Sequence, residues 1–271
     1  MLEQSEKKEN LQKNLLEKIG ENYNRVLKSL LKERLQLMGE IIPDNISDES
    51  VPYLLEEITV KAEKQRLLSD GPKNEFILLQ GASGSGKDTI GEQLEKSGIK
   101  KIPRDTDRER RPNEVDGKDY YFISSERFSE KMQKGEYIGS PAETYGERRG
   151  INKKRINESL NKERFYLGGS ARTSLDFFND EKYSQYKFLS VFLLTPNFEE
   201  LINRLQKRTA EEISKNSNLQ VNSEKQLLIR IQASVDHLEK ARKNVDGRPV
   251  TDIFVINDQI ERAAEKIESL I

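Results

Sequence analysis

The sequence predicts an α/β fold, in which helices cover a mostly parallel β-sheet and an all-helical extension precedes the sheet. Two observations support this prediction. Before residue 71, leucine and isoleucine recur at helical spacing among charged residues. After it, short runs rich in β-branched and aromatic residues alternate with helical patterns, which is typical of parallel sheets. The turn-forming Asp70-Gly71-Pro72 separates the two parts, so we expect a helical extension over residues 1–70 and a second domain over residues 71–271.

The extension is expected to contain two helices. Apolar residues recur at helical spacing from Leu11 to Leu31, and Gly39 then interrupts the pattern. A second helix begins near Val51-Pro52, because proline fits the first turn of a helix. Leucine stripes of this kind either pack into a core or serve self-association or the docking of a partner.

The second domain contains the other predicted elements. Strands are expected at residues 75–80, 164–167, 187–195 and 251–256. Helices are expected at residues 88–96, 125–134, 198–207, 223–243 and 259–270. The segment 207–223 is polar and weakly patterned, and we expect it to form a mobile lid over a binding site.

The composition excludes several chemistries. The 271 residues include no cysteine and one histidine, which excludes disulfides, cysteine nucleophiles and sites built on several histidines. The 46 Lys and Arg residues nearly balance the 47 Asp and Glu residues, and a net charge of −1 does not favour a nucleic-acid partner. The N-terminal residues lack the apolar run of a signal peptide, and no run reaches transmembrane length. We therefore expect a cytoplasmic protein without a membrane partner.

The first strand of the second domain leads into a glycine-rich loop and then a predicted helix. The loop reads Gly81-Ala82-Ser83-Gly84-Ser85-Gly86-Lys87-Asp88-Thr89. This is the Walker A pattern in its strand–loop–helix context, and it predicts a P-loop NTPase fold that binds ATP. We expect Lys87 to follow the charge of the moving phosphoryl group. The phosphates of ATP should be surrounded by the backbone of Gly81, Ser83, Gly84, Ser85 and Gly86.

One position of this loop departs from the pattern. The residue after Lys87 is usually a serine or threonine whose hydroxyl binds Mg²⁺, but here it is Asp88. A carboxylate is also a hard oxygen donor, so we predict Asp88 as the Mg²⁺ ligand. The alternative is that Asp88 only stabilises the N-terminus of the helix. Thr89 could replace the lost hydroxyl if the loop were displaced.

A second motif lies downstream of the loop. Its fixed positions are Arg108, Arg111, Pro112, Glu114, Gly117, Asp119, Tyr120 and Phe122. Together the two motifs resemble those of the guanylate kinase family, and the resemblance extends over residues 73–271. It implies that Arg108, Arg111 and Tyr120 hold the phosphate of an acceptor nucleotide. Guanidinium forks and a tyrosine hydroxyl suit phosphate oxygens.

The same resemblance implies roles on the donor side. It implies that Asn257 lies near the adenine of ATP, and that the protein has lid and acceptor-binding subdomains. It also implies that the transferring phosphoryl group is neutralised by Arg204, Arg208 and Arg230. The expected enzyme is a kinase that uses ATP and Mg²⁺ and takes GMP as its default acceptor.

The departures from the family pattern lie in the half of the site that reads the acceptor's base. The replacements are Gly139-Ser140 for a Glu-Trp pair, Arg148-Arg149 for paired tyrosines, Gly168-Gly169-Ser170 for an Asp-x-Asp strand end and Arg104 for a guanine-binding serine. Arg149 and Ser170 are therefore also expected at the acceptor site. Since Gly168 replaces an acid that could assist Mg²⁺, we hypothesise that the metal-binding acid has moved to Asp88.

Two other interpretations remain open at this stage. The run Gly84-Ser85-Gly86-Lys87-Asp88 is also similar to the loop of ribose 1,5-bisphosphate phosphokinase, and so is the Gly-Ser-Arg pattern of residues 168–172. An acceptor that carries sugar phosphates and no base would suit the added arginines. The third interpretation is a non-catalytic guanylate-kinase-like module that binds phosphorylated peptides, although the complete loop and Lys87 argue against it.

Overall fold

The computed structural model describes residues 2–43, 45–69, 74–111, 114–144, 147–160, 162–169, 171–215, 223–245 and 248–271. Its helices are α1 (Leu2–Leu37), α2 (Val51–Leu68), α3 (Lys87–Lys96), α4 (Ser125–Gln133), α5 (Lys153–Ser159), α6 (Ala171–Asn179), α7 (Phe198–Lys215), α8 (Ser223–Ala241) and α9 (Ile260–Glu268). Its strands are β1 (Phe76–Gly81), β2 (Lys100–Lys101), β3 (Arg104–Thr106), β4 (Tyr120–Phe122), β5 (Tyr137–Thr144), β6 (Glu147–Asn152), β7 (Phe165–Gly169), β8 (Phe188–Leu194), β9 (Asn244–Val245), β10 (Arg248–Pro249) and β11 (Ile253–Ile256).

The main sheet is parallel and has the strand order β11-β8-β1-β7-β2. Every residue of β1, β8 and β11 is buried, because helices cover both faces of the sheet. This burial explains why these strands read as continuous apolar runs. The α/β fold expected from the sequence is confirmed, and β1 lies in the middle of the sheet and delivers the glycine-rich loop at its end.

A second sheet has the order β4-β3-β6-β5 and is mostly antiparallel. Sequence patterns did not predict it. Its strands β3 and β4 have three residues each, and β4 is only half-buried. Strands of three residues are too short to show a clear apolar alternation. Its strand β5 bulges between Ile138 and Ala142 opposite β6.

The N-terminal helices pack directly on the second domain. The leucine stripe of α1 lies in one core with the apolar face of α8, and this core includes Leu27, Leu30, Leu31, Ile231, Val235 and Leu238. Helix α2 lies along the open edge of β11. There the backbone N–H of Phe254 donates to Thr59 Oγ1 (3.1 Å), and that of Ile256 donates to Glu56 Oε1 (2.9 Å). Helix α2 therefore completes the hydrogen bonding of an edge strand.

Several element boundaries differ from those expected. Helix α7 continues to Lys215 where a weakly patterned lid was expected from residue 207, and Leu205 and Thr209 bury one face of the helix as far as residue 209. The rest of the expected lid, residues 216–222, lies outside the described residues. Strand β7 runs to Gly169, two residues beyond the predicted end at 167. In the described part of the chain, no helix has the length and apolar character that a membrane span requires.

Candidate active site

The glycine-rich loop connects β1 to α3 at the end of the main sheet, as predicted. Gly86 is the N-cap of α3 and has a φ of 88°, a backbone conformation that residues with a side chain rarely adopt. A Cβ atom at Gly86 would lie 2.0 Å from Nδ2 of Asn257. Glycine is therefore required here both for the turn and for the close approach of Asn257. The Asn257 amide donates to the backbone oxygen of Ser85 (2.8 Å) and fixes the loop against the end of β11.

Lys87 lies over the loop that precedes it. Its Nζ donates to the carbonyl oxygens of Gly81 and Ala82, both at 2.7 Å. Burial lowers the pKa of Lys87 to about 8, and the carboxylate of Asp88 opposes this effect. The positive charges of Arg208 and Arg104 lower the pKa further. Lys87 thus lies in a strongly positive region, which suits the binding of phosphate.

Two of the predicted catalytic arginines reach the loop from α7. Arg204 Nη2 donates to the backbone oxygen of Asn257 (2.9 Å), and its Nε donates to Glu200 (2.6 Å). Arg208 Nη1 lies 3.5 Å from Ser83 Oγ. The two arginines lie one helical turn apart, so both face the loop.

A groove of about 410 Å³ opens between these elements. It is lined by Gly84, Gly86, Lys87, Asp88, Thr89, Arg204, Arg208, Asn257, Asp258 and Ile260. The structure therefore brings together most of the residues predicted to bind ATP. Arg230 is not among these lining residues; it is half-buried on α8.

The carboxylate of Asp88 lies at the exposed mouth of this groove, next to the exposed Thr89. Mg²⁺ retains several water molecules and is usually bound by one or two carboxylates together with substrate phosphates. One exposed carboxylate beside a phosphate-binding loop fits that requirement. Within the described ranges, no three His, Cys, Asp or Glu side chains form a metal-binding cluster.

The second sheet gathers the residues predicted to hold the acceptor. Side chains alternate along a strand, and the pairing places Arg104 beside Tyr120 and Thr106 beside Arg149. These side chains consequently share one face of the sheet. The guanidinium carbons of Arg108, Arg104 and Arg149 lie 5.0, 5.9 and 6.0 Å from the ring centre of Tyr120.

The electrostatics of this face suit an anion. Burial raises the pKa of Tyr120, but the surrounding guanidinium groups outweigh it and hold the pKa below its ordinary value. The Asp88 carboxylate acts on the pKa of both Tyr120 and Lys87. The positive charge of Arg104 also acts on the pKa of both Tyr120 and Lys87. The nucleotide groove and the arginine-lined face therefore lie close to each other.

Arg108 is buried and oriented by the protein itself. Its guanidinium group forms two hydrogen bonds with the Glu114 carboxylate, one of them at 2.7 Å, and donates to the backbone oxygen of Glu109. Arg111 lies apart from this group: its side chain is exposed, while its backbone N–H donates to Glu114. Ser170, also predicted at the acceptor site, lies outside the described residues.

Arg148 does not share the acceptor face with Arg149, its neighbour in β6. Its Nε donates to Asp107 (2.6 Å) and its Nη1 to Ser129 (3.0 Å), and the guanidinium group lies over the ring of Phe128. Successive residues of a strand point to opposite faces. Of the two added arginines, only Arg149 adds charge at the acceptor face.

Two other polar groups near the site had no sequence signal. Asp176 on α6 is half-buried beside the bulge of β5, and burial raises its pKa to about 6. His237 on α8 has its pKa lowered to about 4 by burial and then by the charge of Lys87. Asp176 and His237 come near the site only because their helices pack against segments distant in the chain. Residue spacing along the sequence does not reveal such packing.

Known proteins resemble the chain in sequence and in structure. The guanylate kinase family model matches residues 73–271. A guanylate kinase of Wolbachia pipientis wMel is 30% identical over 201 residues, which are 72% of this chain and 88% of that protein. One from a Wolbachia of Brugia malayi is 31% identical over 202 residues, 72% of this chain and 91% of that protein. The crystal structure of guanylate kinase from Anaplasma phagocytophilum superposes with a TM-score of 0.51, at 23% identity, over 73% of this chain and 83% of that one.

The fold and the loop define a P-loop phosphotransferase, in which the parallel sheet delivers the loop with Lys87 and helix α7 adds Arg204 and Arg208 to the same groove. The chain belongs to the guanylate kinase family, and it is a kinase. The resemblance inferred from the two motifs is confirmed over the range in which it was expected.

Proposed function

We propose that this kinase transfers the γ-phosphoryl group of ATP, with Mg²⁺, to the phosphate of a nucleoside monophosphate, with GMP as the default acceptor. The observation that supports this proposal is the pair of phosphate-binding half-sites in one chain. The groove around Lys87 suits the donor, and the face around Tyr120 suits the phosphate of the acceptor. The family's named members are guanylate kinases.

In this proposal, positioning and charge neutralisation supply most of the catalysis. Arg108 and Tyr120 hold the acceptor phosphate, with Arg149 beside them and Arg111 at the exposed edge. Mg²⁺ supplies neutralisation of the donor phosphates when it is bound, and Asp88 would hold it. The acceptor oxygen is largely ionised at neutral pH, so the reaction requires no general base.

On the donor side, Lys87 lies close to the carbonyl oxygens of its own loop and within reach of a bound phosphate. Arg204 and Arg208 approach from α7. The family resemblance gives Arg230 of α8 the same role. Each of these three would stabilise the negative charge that spreads over the transferring group. Asn257 would contact the nucleotide from the end of β11.

A second candidate acceptor is ribose 1,5-bisphosphate. The observation that favours it is the added positive charge of Arg104 and Arg149 around Tyr120. Arg108 and Arg149 are paired with the carboxylates of Glu114 and Glu147, so the charge beyond these pairs at this face comes from Arg104.

The test is a coupled assay of ADP release with GMP, dGMP, AMP, CMP, UMP and ribose 1,5-bisphosphate, each with and without Mg²⁺. A reaction without acceptor measures hydrolysis. We expect turnover with GMP that requires Mg²⁺ and falls at least about 100-fold in Lys87→Met. Turnover confined to the ribose compound would favour the second candidate. Absence of turnover with every acceptor would contradict the proposal.

A further inference from the structure

The carboxylate of Asp176 occupies the space that a side chain at position 139 would need. A Cβ atom on Gly139 would lie 2.3 Å from Cγ and 2.4 Å from Oδ1 of Asp176. Gly139 also has a φ of 62°, which glycine adopts without strain. The absence of a side chain at Gly139 thus allows α6 to place a carboxylate against the bulge of β5.

The helix that carries this carboxylate packs on the acceptor face of the second sheet. Arg149 and Ile151 alternate with Gly150 in β6, so their side chains point to the same face. Ile151 pairs with Ile138 of β5, and both pack in one core with Phe177 of α6. Helix α6 therefore covers the face that carries Arg149. Asp176, the residue before Phe177, lies against the bulge opposite Gly150, one residue from Arg149.

The surroundings of Asp176 leave it able to accept further hydrogen bonds. The backbone N–H of Ser140 donates to the carboxylate, and the charge of Arg172 lies nearby. Arg172 Nη2 is directed to the backbone oxygen of Ser140 (3.4 Å). An ionised carboxylate has about four lone-pair positions and no donor, so the hydrogen bond from Ser140, the one shown among the described residues, leaves most of its capacity unused. Burial raises the pKa of Asp176 to about 6, and the group is mostly ionised at neutral pH.

We propose that Asp176 determines the acceptor's base, and that it selects a base with two adjacent N–H donors, such as guanine. This inference rests on the proposed function. The phosphate of the acceptor lies at the arginines around Tyr120, and the rest of the molecule extends along the same face to Asp176. Two neighbouring N–H groups match the two oxygens of a carboxylate.

The same chemistry disfavours the other acceptors. Adenine presents a ring nitrogen lone pair beside its amino group, and a carboxylate oxygen would repel it. A second phosphate at this end, as in ribose 1,5-bisphosphate, would place two anions together in a partly buried site. Asp176 therefore opposes the sugar bisphosphate that the added arginines alone would favour.

The test compares kcat/KM for GMP, IMP, AMP and ribose 1,5-bisphosphate at about pH 8 in the wild type, Asp176→Asn and Asp48→Asn. IMP lacks the amino group of GMP and retains its ring N–H. We expect the wild type to prefer GMP to IMP by about 10- to 100-fold, the range for one hydrogen bond to a charged group. We expect Asp176→Asn to bring this ratio close to one without changing the KM for ATP.

The control variant Asp48→Asn makes the same chemical change in the exposed connection between α1 and α2, and we expect it to retain the wild-type ratio. Wild-type enzyme that uses GMP and IMP equally well would overturn the inference without any variant. An Asp176→Asn enzyme that keeps the GMP preference would overturn it too, and in both cases the nucleotide kinase activity would stand. Turnover with the ribose compound alone, or with no acceptor, would instead remove the proposed function on which the inference rests.

Discussion

Replacing Asp176 with asparagine should stabilise the protein at neutral and alkaline pH and leave its stability near pH 4 unchanged. Burial of the Asp176 carboxyl raises its pKa from 3.8 to about 6, against the opposing effects of Arg172 and the Ser140 N–H. The folded protein thus binds this proton more tightly than the unfolded chain does. The stability that the proton contributes is fully present below the unfolded pKa and is lost as the pH rises through the folded pKa.

The size of the effect follows from the difference between the two pKa values. A difference of about 2 units corresponds to about 3 kcal/mol at 1.36 kcal/mol per unit. Partial solvent access to Asp176 makes this an upper value. An asparagine remains neutral at every pH and keeps an oxygen that can accept from the Ser140 N–H. The variant should therefore be more stable than the wild type by up to about 3 kcal/mol above about pH 7, and equally stable near pH 4.

The assay is urea denaturation of the wild type and Asp176→Asn at intervals between about pH 4 and pH 8. Groups other than residue 176 titrate in both proteins and cancel in the difference. Asp107→Asn is a control of opposite sign, because hydrogen bonds from Arg148 outweigh burial and lower the pKa of Asp107. Asp107→Asn should be less stable than the wild type at pH values above the pKa that Asp107 has in the unfolded chain. If the free energies of unfolding of Asp176→Asn and the wild type differed by the same amount at every pH, the reasoning would be refuted.

Three other substitutions test the edge of the main sheet and the acceptor face. Thr59→Val should lower the free energy of unfolding by about 1–3 kcal/mol, because it leaves the buried N–H of Phe254 without an acceptor; denaturation of Thr59→Ser should show much less loss. Glu56→Ala should raise the KM for ATP and leave the acceptor KM unchanged, because the Ile256 N–H loses its partner beside the nucleotide groove; equal changes in both KM values would contradict this. Tyr120→Phe should raise the acceptor KM about 10- to 100-fold through loss of one hydrogen bond to a charged phosphate, and an unchanged KM in steady-state kinetics would remove the hydroxyl from phosphate binding.

The donor half of the site could be predicted from the sequence because its residues are nearly contiguous. A buried strand, five loop residues and a helix N-terminus follow one another in the chain, so one continuous motif indicates the position of Lys87. The main strands were also predictable, since burial on both faces makes them continuously apolar. Arg204 and Arg208 followed from helical spacing and the family resemblance.

The acceptor half could be predicted only in part. Arg108 and Tyr120 were found by motif, yet the sheet that carries them has short, half-exposed strands without an apolar signature. Whether Arg148 or Arg149 faces the site depends on the register of β6, which the sequence does not specify. The position of Asp176 depends on the packing of α6 against the bulge of β5, which is a contact between segments distant in the chain.

The N-terminal helices show why a motif-based division of the chain understates their contribution. The family model begins at residue 73, after α1 and α2, yet these helices supply partners to the last strand of the main sheet. The Glu56 carboxylate accepts from Ile256 N–H and is paired with Arg262 and Lys266 of α9.

The residue that follows Ile256 in the chain is Asn257, which donates to the backbone oxygen of Ser85 in the loop and accepts from Arg204. A continuous series of hydrogen bonds therefore runs from α2 through the end of β11 to the phosphate-binding loop. Removing the helices would expose both the apolar core shared with α8 and the N–H groups of an edge strand. Since an unpartnered buried charge or N–H group is costly, the rest of the chain has adapted to their presence. The nucleotide groove of this kinase is thus supported by a segment that lies outside its family signature.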